Sequence, residues 1–76
     1  MSLRQMLVGT VRRALPGAIG LYEIECEDGR TSPIVIDDSS DLARRLDLDD
    51  LVGEYCELTG HMQLHVFIVE TVEVLP

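Results

Sequence analysis

The sequence predicts a small all-β domain with one short helix, in the element order β-β-β-α-β-β. Three observations carry this. Tyr22, Ile24 and Cys26 alternate with Glu23, Glu25 and Glu27, the period of a strand with one buried and one acidic face. The period changes once, at "DDSSDLARRLDLDDLVG", where capping residues precede leucines at helical spacing. Finally, 76 residues suffice for one domain with a single modest core.

The elements follow in chain order. Residues 1–5 read as a loose end or vector-derived scar, and residues 6–76 as the single domain. "MLVGTVRRA" is a first strand, with Gly9 where a bulge or tight bend helps a sheet curve. "LPGAIG" is a loop built on proline and glycine, and the alternating segment from Leu21 is the second strand. It ends in a turn at "EDGR". "PIVID" is the third strand, with Pro33 tolerable at its start.

Asp38, Ser39 and Ser40 are N-cap candidates, so the helix starts between Asp38 and Asp41. Asp41 suits the first-turn dipole, and Leu42, Leu46 and Leu48 form the inward stripe. Another turn spans Asp49 to Val52, closed by Gly53. "EYCELTG" and "HVFIVETVEVL" are the last two strands, with the tight turn expected at His61 to Gln63.

Register tests these strands, because a one-residue slip exchanges the two faces. In the first hairpin Val11 falls opposite Ile24 and Gly9 opposite Cys26 inside, with Arg12 opposite Glu23 and Thr10 opposite Glu25 outside. Centring the last hairpin on Met62 sets Cys56 against Ile68 and Leu58 against Val66 inside. Tyr55 then faces Val69 and Glu57 faces Phe67 outside, and Glu54 meets Glu70. The predicted common core is Ile24, Cys26, Cys56, Leu58, Val66 and Ile68.

"LVGTV", "PIVI", "LVGEYCELTG" and "FIVETVEVL" resemble the strand signatures of small bacterial oligonucleotide/oligosaccharide-binding (OB-fold) proteins. The resemblance implies a five-stranded, partly open Greek-key barrel, with ligands on the outer face of strands two and three, between the first and last hairpin loops. An SH3-like barrel is the alternative fold. It usually keeps its helix between the last two strands, whereas here the helix precedes strand four.

Charge narrows the function. Fourteen carboxylates against six basic residues, all arginine, leave a net charge of −8, which opposes attraction to phosphate backbones and anionic lipid. No run approaches the roughly 20 apolar residues of a membrane span, and no apolar leader follows Met1, so a cytoplasmic location is expected. Glu23, Glu25 and Glu27 would occupy the middle of the usual OB ligand face. Neighbouring pairs, ~7 Å apart, repel by roughly 0.6 kcal/mol even in water. Base-stacking platforms are scarce, with only Tyr22, Tyr55 and Phe67 available.

No cofactor, metal or catalytic residue is assigned. Cys26 and Cys56 read as free, inward thiols; His61, His65 and Cys56 do not converge in a hairpin; Ser39 and Ser40 are explained by helix capping. The chain is therefore expected to be a non-catalytic protein-interaction module, an adaptor or self-associating subunit with an acidic outer face. Its partner-binding candidates are Leu15, Ile19, Met62, Phe67 and Val69, with Leu64 beside them: either they form one contact patch across the two loops and the last strand, or the loops fold back to plug the barrel ends. The alternative is a single-stranded nucleic-acid accessory protein that grips phosphate through Arg12 and Arg13.

Overall fold

A computed structural model describes residues 4–76. Its elements are β1 (Gln5–Arg13), β2 (Tyr22–Cys26), β3 (Thr31–Ile36), α1 (Asp41–Arg45), a 3₁₀ turn (Leu48–Leu51), β4 (Tyr55–Gln63) and β5 (Val66–Val74). The five strands make one mixed sheet that closes on itself in the order β1-β2-β3-β5-β4. Every pairing is antiparallel except that of β3 with β5, whose parallel run needs the long crossover through α1 and β4. Of the expected loose end, residues 1–3 lie outside the described residues; Gln5, also placed there, is the first residue of β1 and pairs with Gly60.

Closure depends on β1 serving two neighbours. Gln5 to Thr10 pair with β4, and Gly9 to Arg13 pair with β2. The two pairings overlap at Gly9 and Thr10, where the strand must bend, and a Cβ at Gly9 would overlap the Glu25 carbonyl oxygen. Gly60 has the same role on β4: a Cβ there would overlap the Ile68 carbonyl and lie 3.2 Å from the Phe67 ring. In both places glycine lets main chain approach main chain where the sheet turns most sharply.

The first hairpin has the expected register, with Gly9, Thr10, Val11 and Arg12 opposite Cys26, Glu25, Ile24 and Glu23. The helix also begins as expected: Ser40 is its N-cap, its hydroxyl accepting from the Ala43 amide at 3.3 Å. It lasts only five residues and buries none of them fully. Leu42 and Leu46 pack against the core from its edge, while Leu48 and Leu51 of the 3₁₀ turn are buried.

The last hairpin differs from expectation. Its turn is Leu64–His65, β4 continues to Gln63, and Cys56 and Leu58 lie opposite Val74 and Val72. The register shifts between Thr59 and Gly60, leaving Glu70 as a bulged residue. Phe67 and Val69, expected on the outer face, are therefore core residues at 0% and 1% exposure, and the half-buried Val66 and Ile68 face outward. The reason lies in the sequence, since "VFIV" is apolar in both phases and alternation cannot choose between them. Gly60 decides it, because its missing side chain is the space that the Phe67 ring enters.

Val11, Ile24, Ile34, Cys56 and Leu58 complete the core with Phe67 and Val69. Cys26 is a second correction: it is only half-buried, near the end of β2, whereas Cys56 has no exposed surface. Both cysteines lie opposite Gly9, one on each side. Two strand spacings, ~9.5 Å, hold them apart, too far for a disulfide.

Candidate interaction surfaces

The acidic face that begins on β2 is partly neutralised by one arginine. The Arg12 guanidinium bonds Glu23 through Nε at 2.6 Å and Nη2 at 2.5 Å, and reaches Glu25 through Nη1 at 3.1 Å. Those partners, the Glu23 hydrogen bond foremost, raise the Arg12 pKa above its ordinary value. Glu23 keeps only 9% of its surface exposed, opposite Arg12 on β1 and Pro33 on β3. Glu27 accepts a 2.5 Å hydrogen bond from the Tyr55 hydroxyl, which pushes the phenol's pKa up. Of the three glutamates only Glu25 and Glu27 are exposed to solvent.

Arg13 is also engaged. It forms an ion pair with Asp49 of the 3₁₀ turn, and the Tyr22 hydroxyl donates to the same carboxylate oxygen at 3.2 Å. These contacts tie the end of β1 to the segment that closes this end of the ring. The two arginines singled out for phosphate thus both have carboxylate partners. Nothing in the spacing of Tyr22, Tyr55 and Asp49 announced these contacts, which depend on the closed ring.

The apolar candidates do not form one patch. The β1–β2 loop follows Arg13 at one end of β1, whereas the β4–β5 turn lies beyond Gly60, which pairs with Gln5 at the other. Eight residue steps of β1, ~26 Å along the strand, intervene. The first loop exposes Leu15 at 70%, Ile19 at 58% and Leu21 at 78%. It is held by hydrogen bonds from the Ala14 amide to the Leu21 carbonyl and from Ala18 to Leu15, and it curls round an open concavity of ≈ 410 Å³ lined only by the loop and its flanks.

At the far end Met62 is 40% and Leu64 91% exposed. Leu64 adopts a φ of 58°, a left-handed conformation that a leucine reaches only at a cost of ~1–2 kcal/mol. Leu21, absent from the sequence-derived candidates because it looked like the first residue of the second strand, belongs to the exposed loop.

The nucleophiles and His61 are engaged by local contacts or burial. Burial raises the pKa of both thiols, with Asp28 adding to the effect at Cys26 and Glu54 at Cys56, so both stay protonated at neutral pH. Ser39 donates to Asp37 at 2.8 Å, and Ser40 caps α1. His61 bonds Glu70 through Nδ1 at 2.8 Å, and Arg4 reaches the other oxygen of Glu70 at 3.1 Å. Among the described residues no three His, Cys, Asp or Glu side chains converge as metal ligands, and no helix is long and apolar enough to cross a membrane. No protein-family model, curated protein or solved structure matches this chain.

Proposed function

We propose that this chain is a non-catalytic interaction module built on an OB-like barrel, and that it docks a protein partner through the β1–β2 loop. The ring order β1-β2-β3-β5-β4, a first strand shared between two neighbours and a helix placed before β4 support the OB-like reading over an SH3-like barrel. The observation that carries the function is the loop itself. Three large aliphatic side chains project from an uncharged segment, Ala14 to Leu21, in a chain of net charge −8. Such a cluster is uncommon on a free surface and usual at a binding site. With Phe67 and Val69 in the core, the contact residues become Leu15, Ile19 and Leu21; Met62 and Leu64 form a smaller, separate tip.

Burying one of these side chains in an interface contributes roughly 1.5–3 kcal/mol, about ten- to a hundredfold in dissociation constant. The test is affinity capture from native extract with the wild type and a Leu15→Ser, Ile19→Ser double variant. A partner held by the first and lost by the second, at equal melting temperature, supports the reading. Identical captured sets refute it.

Nucleic acid is the weaker reading. To bind phosphate Arg12 would have to leave Glu23, and the ligand would meet Glu25 and Glu27 on the same face. The same preparation should bind single-stranded DNA no tighter than about 10⁻⁴ M at physiological salt.

A further inference from the structure

β5 has two neighbours along its first half and one along its second. Phe67 to Val69 pair with β3 on one side and β4 on the other. β3 ends at Ile36, opposite Val69, and from Thr71 to Val74 only β4 accompanies the strand. The Leu75 amide donates to the Tyr55 carbonyl at 2.8 Å. In an antiparallel ladder the direction alternates, so Glu73 and Thr71 also turn their main-chain groups toward β4, and Val72 and Val74 turn theirs away. Among the described residues no strand meets those groups of Val72 and Val74, while Thr71, Glu73 and Val74 have exposed side chains.

A second observation concerns the outer face beside that edge. Glu73 lies directly opposite Glu57 on β4. Unlike Glu23, Glu25 and Glu70, neither has an ion-pair partner among the described residues. Like charges facing each other across a ladder destabilise it, and a cation on an added strand would stand one strand spacing, ~4.8 Å, from Glu73.

We propose that the Val72–Val74 edge of β5 accepts an extended segment of a basic partner protein as a sixth strand. Main-chain hydrogen bonds to Val72 and Val74 hold the segment, and a lysine or arginine lies opposite Glu73. Charge selects this occupant. A second copy also carries −8, and in the two-fold register centred on Glu73 it would set that glutamate against itself. The edge is separate from the β1–β2 loop and does not depend on the role proposed for that loop.

The probe is a capped, fluorescent decapeptide alternating threonine with lysine, compared with the same peptide bearing glutamate for every lysine. The lysine peptide should bind and slow amide exchange at Val72 and Val74, and the glutamate peptide should bind about tenfold more weakly or worse. Val74→Pro removes an outward donor without breaking a β4 hydrogen bond and should abolish binding. Should that variant not fold, Glu73→Lys, which leaves the main chain intact, should reverse the preference between the peptides. Ile19→Ser should leave peptide binding unchanged, which separates this edge from the loop. Equal binding of both peptides, protection elsewhere than Val72 and Val74, or no binding of the lysine peptide would overturn the proposal. So would a concentration-dependent dimer that protects those two amides without peptide, since the occupant would then be a second copy.

Discussion

Replacing Phe67 by alanine tests the inner face of β5 most directly. The side chain has 0% exposure, and its ring fills the space left by Gly60. Transfer of a buried Phe from the core to water costs about 1.5–3 kcal/mol, and the cavity left behind brings the usual loss for Phe→Ala to about 3–5 kcal/mol. A 76-residue domain has roughly 4–11 kcal/mol of stability in all, so the variant should lose about a quarter of it or more. At about 4–8 °C per kcal/mol for this size, the midpoint should fall by ~12 °C at the least. Ile68→Ala is the internal control. Ile68 is half-buried on the outer face, and its truncation should cost about 1 kcal/mol. Urea melts of both variants, with unchanged m, give the comparison. If Ile68→Ala is the more damaging, β5 is one residue out of phase and the core described above is wrong.

Two further outcomes are expected. Gly60→Ala forces a methyl against the Ile68 carbonyl and the Phe67 ring, and should destabilise by roughly 1–3 kcal/mol in a urea melt; a variant as stable as the wild type would show that the closure at the Glu70 bulge is not so tight. Glu70 accepts hydrogen bonds from His61 and Arg4, which lower its pKa from the ordinary 4.5, so the folded state binds fewer protons than the unfolded state. Its contribution is present above about pH 4.5 and lost as pH falls through the lowered folded value. Denaturation at successive pH values should show stability declining in that acid range with a shallower slope for Glu70→Gln, and equal slopes would remove Glu70 from the account.

Several features were legible in the chain alone, each because one choice was chemically distinct from its alternatives. The first hairpin register followed from "VRR" and "YEIEC": only one alignment sets Arg12 beside Glu23 and buries Val11 with Ile24. The start of α1 followed from Ser40, whose hydroxyl satisfies an amide the helix leaves open. Gly9 marked the bend in β1, since a strand interior keeps glycine where another main chain comes close. The net charge of −8 was equally plain from composition, and with it the expectation that phosphate backbones are not attracted.

Tertiary structure decided what local pattern left equal. Both phases of "VFIV" are apolar, and "LH" has none of the residues that usually fix a two-residue turn, so neither alternation nor turn chemistry could place Phe67 inside. The Glu70 bulge then exchanges the faces of β5, which brings Val72 and Val74 into phase with the core strands and sets Glu73 against Glu57. The division of β1 between β2 and β4 places the two apolar loops at opposite ends of the molecule, and Tyr55 meets Glu27 across 28 residues of sequence. These juxtapositions depend on closing the ring through the parallel β3–β5 pair, a contact between segments more than 30 residues apart. A period of two describes one strand and its two faces; which strand lies beside it, and where that neighbour stops, depends on how the whole chain fills a single core.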